Sequence, residues 1–69
     1  MGPGDARLRG SGLSVWAMVL YYRGADGDVA EVARAYETTP EAIEAGLAYY
    51  QLHKAAIDAR IEDHLAFVA

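Results

Sequence analysis

The stretch from Asp28 to Tyr50, DVAEVARAYETTPEAIEAGLAYY, constrains the fold of this chain more than any other. It carries two amphipathic helical patterns separated by a turn with room only for a tight corner. Asp28 and Glu31 give D-x-x-E at the first helix start, a capping-box pair in which one carboxylate accepts backbone N–H groups and the other reaches back. At the second start Thr39 is placed to cap, and Pro40 takes the first helical position, where its missing N–H costs nothing. Only Glu37 and Thr38 lie between. So short a connection makes the helices cross steeply, the geometry by which a helix-turn-helix presents its second helix to the major groove. The expected fold is all-α, a three- to four-helix helix-turn-helix bundle with a short N-terminal β-strand.

A chain of 69 residues makes one domain. A single core of this size rarely supplies more than roughly 3–5 kcal/mol of net stability. Alanine accounts for 14 of the 37 hydrophobic residues, so large apolar side chains are few. With no cysteine there is neither a disulfide nor a Cys-based metal staple, which makes self-association or a partner protein the expected support. No run reaches the roughly 18 apolar residues of a transmembrane helix, and no charged region followed by an apolar run opens the chain. A cytoplasmic homodimer or higher homo-oligomer is expected, with no membrane contact.

The net charge of −4 opposes tight nonspecific binding to a polyanion, but it is unevenly spread. Residues 1–24 carry Arg7, Arg9 and Arg23 against Asp5, while residues 25–69 carry three positive and nine negative charges. Phosphate contact is therefore expected from the front, and the acidic rear suits a basic partner.

Within one domain spanning 5–69, residues 5–13 (DARLRGSGL) alternate charged and apolar side chains and break at Gly10 and Gly12, as a short strand and turn would. Ser14 then caps a helix closed by Gly24, with Val15, Trp16, Val19 and Leu20 on one face. That helix is apolar almost all round, which puts Trp16 and Leu20 among the expected interface residues. The core continues to residue 53. Val29, Val32, Ala33 and Tyr36 form one buried stripe, and Ile43, Leu47 and Tyr50 form the next, with Gly46 permitting a close approach. A last helix over 54–69 places Ile57, Ile61, Leu65 and Val68 on one stripe, with Phe67 beside it. The spacing leaves open whether it continues the third helix or bends near His53.

The chemistry of catalysis is not visible. His53 and His64 are eleven apart and do not converge as metal ligands, so neither a metal nor a cofactor is expected. Gly10-x-Gly12 lacks the third glycine and the βαβ unit of a dinucleotide fingerprint. Ser11 and Ser14 have no base positioned by sequence, and the chain is not expected to be an enzyme. Tyr21-Tyr22 and Tyr49-Tyr50 read as core and interface filling rather than base-stacking platforms.

The order R-L-R-G-S-G-L-S-V, an apolar helix, D-V-A-E-V-A-R-A-Y, a T-P-E turn, A-G-L-A-Y-Y and A-A-I-D-A-R-I resembles the domain-of-unknown-function family numbered 433, from Arg7 to about Ile61. Many members look like antitoxins of the VapB type, encoded beside a PIN-like ribonuclease toxin. The family's front motif usually reads R-I-R-G-T-R-I-P-V. This chain keeps Arg7, Arg9, Gly10 and Val15, has Ser11 for the threonine, and has Gly12 and Ser14 for the arginine and proline. The resemblance implies a dimer that neutralises a toxin and binds its own promoter. Toxin inhibition would run by occlusion, with the last helix lying in an apolar groove through Ile57, Ile61, Leu65, Phe67 and Val68. Contact with double-stranded DNA would come from Arg7, Arg9, Arg34, Thr38 and Thr39. The rival expectation is a homodimeric adaptor that binds protein and never nucleic acid. It is favoured by a third helix whose outward residues, Glu41, Glu44, Ala45, Ala48 and Gln51, include no cation.

Overall fold

The computed structural model describes residues 2–8 and 12–68, with side chains as far as residue 67. A turn of 3-10 helix at Pro3–Asp5 precedes four helices: α1 (Val15–Gly24), α2 (Val29–Ala35), α3 (Pro40–Leu52) and α4 (Lys54–Val68). The all-α class expected from the periodicity is what forms. The strand expected over residues 5–13 is not shown. Arg7 and Ser14 instead make an isolated antiparallel bridge, Val15 N–H donates to the Ala6 carbonyl, and Gly12 N–H donates to the Leu8 carbonyl. Among the described residues, the arm's backbone bonds run to the start of α1 and within its own turn.

Capping follows the sequence at two helix starts. Asp28 Oδ1 accepts the Glu31 N–H at 3.1 Å and Thr39 Oγ1 accepts the Ala42 N–H at 3.2 Å, with Pro40 opening α3. Only half of the expected capping box is made, because Glu31 turns to Arg34 and Tyr21. Ser14 stands at the N-cap of α1 with no side-chain cap bond.

The helix ends were less legible. Gly24 is the last residue of α1, and the left-handed step after it falls on Asp26 at φ 56°, followed by Gly27 at φ 79°. Gly27 N–H donates to the Tyr22 carbonyl and Asp26 N–H to the Arg23 carbonyl, the paired bonds of a Schellman closure. The same closure ends α2. Thr38 N–H reaches the Ala33 carbonyl at 2.9 Å, Glu37 N–H reaches that of Arg34, and Glu37 adopts φ 54°. A non-glycine residue in this region costs roughly 1–2 kcal/mol, part of which glycine forfeits through a freer unfolded chain. Glu37→Gly is therefore expected to stabilise the fold by about 0.5–1 kcal/mol, read as a higher urea midpoint with an unchanged slope.

One core holds the four helices together: Leu8, Val15, Met18, Val19, Val32, Ala33, Ile43, Tyr50, Ile57 and Ile61. The inward face of α1 is centred on Val15, Met18 and Val19, at i, i+3 and i+4, and Trp16 and Leu20 sit at its edges, half-buried. His53 breaks α3 from α4, with φ −127° and ψ 35°. Without that break the chain would carry Ile57 and Ile61 away from α1; with it, α4 folds back across α1 and the N-terminal turn. Ile57 and Ile61 end 0% and 2% exposed.

Candidate functional site

The corner segment, α2 and α3 joined through Tyr36–Thr39, forms as a packed pair. Its outward surface on α3 presents Glu41, Glu44, Ala45, Ala48 and Gln51, all exposed. The DNA candidates do not gather there. Arg34 is exposed and ion-paired with Glu31 one turn back on α2. Thr39 is engaged as the cap of α3, and Thr38 is half-buried in the closure of α2. Arg9 lies outside the described residues. Arg7 is placed differently: the arm brings it alongside α3, where it borders a shallow hollow of about 190 Å³ with Ala42, Ala45, Gly46 and Tyr49. Its guanidinium donates to the Gly12 carbonyl at 2.7 Å.

The interface candidates also divide. Ile57 and Ile61 fill the chain's own core, which corrects their assignment to a partner surface: side chains removed from water inside the monomer have no area left to bury against another chain. Trp16 is half-buried, with the His64 ring at 4.7 Å and the Arg60 guanidinium 4.6 Å over its face. Leu20 lines a groove between α1 and α2. Leu65 and Phe67 remain outward, 47% and 91% exposed, beside exposed Glu62 and Asp63 near the end of α4. The side chain of Val68 lies outside the described residues. A further apolar side chain, Leu52, is exposed at the α3–α4 corner.

Sequence reasoning did not find a polar clamp that joins three helices. The Tyr50 hydroxyl on α3 donates to Asp58 Oδ1 at 2.6 Å, and Arg23 from α1 donates to both Tyr50 Oη (2.8 Å) and Asp58 Oδ1 (3.1 Å). Lys54 donates to Asp58 Oδ2 at 2.6 Å. The only signal in the sequence was the i, i+4 spacing of Lys54 and Asp58; Arg23 is 35 residues away. Lys54, then Tyr50, and more weakly Arg23 hold the Asp58 carboxyl down from 3.8 to about 2. Since the folded value lies below the unfolded one, the clamp's contribution is complete above about pH 4 and is lost as pH falls from there toward 2. Asp58→Asn should flatten that limb of a plot of urea midpoint against pH; an unchanged limb would mean that other carboxylates carry it.

Among the described residues no three His, Asp or Glu side chains converge as metal ligands, and no helix is long and apolar enough to cross a membrane. No family model, curated protein or solved structure matches the chain.

Proposed function

We propose that this chain is an antitoxin-like regulator that works by binding another protein, a PIN-type ribonuclease in the reading implied by the sequence resemblance, from a cytoplasmic homodimer. The observation that carries the reading is the outer end of α4, where Leu65 and Phe67 stand exposed among Glu62 and Asp63. Large apolar side chains held in water by a helix are the residues that docking covers, and flanking carboxylates favour a groove with basic rims. Occlusion would then be delivered by the last turns of α4 rather than along its whole length.

Copurification from the chain's own cells, followed by mass spectrometry, tests this reading with Leu65→Asp and Phe67→Asp together. Both positions face outward, so the variant should keep its helical circular dichroism while losing the partner. Full partner recovery with the folded double variant would sink the docking role of this end.

A second reading, promoter binding, is supported by the position of Arg7 beside the outward face of α3, which has no cation of its own. A mobility shift on the upstream DNA at two salt concentrations separates it from a pure adaptor. If Arg7 grips a phosphate, Arg7→Ala should lower the slope of log K against log salt by about 1.

A further inference from the structure

Where α1 passes α2, the chain leaves space. An open groove of about 630 Å³ is lined by Ala17, Leu20, Gly24 and Ala25 along α1 and its end, with Tyr21, Tyr36 and Glu31 around them. Three of the α1-side residues are alanine or glycine, too small to fill the gap between two helices, and that size falls in the range of ligand-binding clefts. The walls are fixed. Tyr36 donates its hydroxyl to the Ala17 carbonyl at 3.3 Å, and its ring meets that of Tyr21 at 5.5 Å between centroids with a 54° tilt. Burial, and then the neighbouring Tyr21, push the Tyr36 phenol up, so that wall stays neutral.

The charge around this apolar floor is one-sided. Glu31 lines the groove, and the loop closing the Ala25 end carries exposed Asp26 and Asp28; Arg34 is the cation paired there with Glu31. That ion pair uses Glu31 Oε1, while Oε2 receives only a long bond from the Tyr21 hydroxyl at 3.4 Å. A carboxylate offers about four acceptor sites, so this one has room for a second cationic donor. Tyrosine π-faces add attraction for the same kind of group.

We propose that the α1–α2 groove docks a partner-protein segment in which an apolar anchor is followed by an arginine or lysine. The anchor lies over Ala17 and Gly24 beside the paired tyrosines, and the cation closes on Glu31. The proposal rests on the reading of the chain as a protein-binding regulator but uses a surface apart from Leu65 and Phe67, so the two can fail separately.

The test is an NMR titration of the intact chain with a blocked helical peptide carrying leucines along one face and arginines beside them. The control is the same peptide with glutamate for arginine. The arginine peptide should shift the amides of Ala17, Gly24 and Ala25 saturably, and the glutamate peptide should not. Glu31→Gln should weaken the dissociation constant about tenfold, equivalent to about 1.4 kcal/mol, whereas Glu44→Gln on the outer face of α3 should leave it unchanged. Gly24→Leu gives a second handle, because a Cβ there meets no heavy atom within 4 Å and the exposed position should tolerate the substitution. The added leucine would occupy the groove and abolish binding. Absence of binding, equal binding of both peptides, shifts confined to the end of α4, or indifference to both Glu31→Gln and Gly24→Leu would each overturn the proposal.

Discussion

Shortening Ile57 to alanine should lower the unfolding free energy by about 2–5 kcal/mol, the cost of deleting a fully buried branched side chain and leaving a cavity. Ile57 is 0% exposed and belongs to the single core where α4 packs against α1 and the N-terminal turn, so the surrounding residues cannot collapse cheaply into the space. A domain of this size has roughly 3–5 kcal/mol to lose. The variant is therefore expected to be largely unfolded at 25 °C in urea titrations monitored by circular dichroism, and Ile61→Ala should behave similarly. Leu65→Ala, one turn further along but outward, should stay within about 0.5 kcal/mol of the parent. This contrast separates the two halves of the α4 stripe, one serving the chain's own core and the other exposed. Equal effects at Ile57 and Leu65 would contradict the division.

Gly46→Val is expected to be the second most damaging change. A Cβ at Gly46 would lie 2.6 Å from Leu8 Cδ2 and 2.7 Å from Met18 Cε, closer than real Cβ contacts come. Both neighbours end in flexible atoms, but Met18 is 0% exposed within the core, whereas Leu8, 7% exposed, borders the hollow beside Gly46. Overpacking of this kind costs about 1–3 kcal/mol, more than the helix-propensity gain of roughly 0.5 kcal/mol from losing a mid-helix glycine. The easier escape is outward movement of Leu8, which would release the arm and carry Arg7 away from α3. Limited proteolysis should then cut within the first residues of the variant at concentrations that spare the parent. If Arg7 contacts DNA, the variant should also lose that contact without any change to a cation. A Gly46→Val protein with parental stability and an equally protected arm would show that Leu8 and Met18 repack freely.

The corner between α2 and α3, its Thr39 cap, Pro40 at the first turn and the inward Val32, Ile43 and Tyr50 were all legible in the sequence. These depend on hydrogen bonds within a few residues or on a repeat of 3.6, and both are written locally. Gly46 was legible as a close approach, although not which side chain would use it. Helix ends misled at Gly24 because a closing glycine is a statistical preference, and the backbone here takes its left-handed step at Asp26 and Glu37 instead.

The alternating pattern of residues 5–13 suggested a strand, but a strand requires a partner edge, and the arm found its hydrogen-bond acceptors and donors at the start of α1. Long-range relations were invisible altogether. Arg23, Tyr50 and Asp58 come together only because the chain breaks at His53, and no capping signal marks that break; the gain comes from returning Ile57 and Ile61 to α1. The groove beside Tyr21 and Tyr36 is likewise a property of two helices and not of either. By itself the sequence determined the helical class, the tight corner and the inward faces, because each follows from local hydrogen bonding and periodicity. Only the tertiary structure decided which apolar residues stayed exposed, because that is the remainder after the chain has buried what it can against itself.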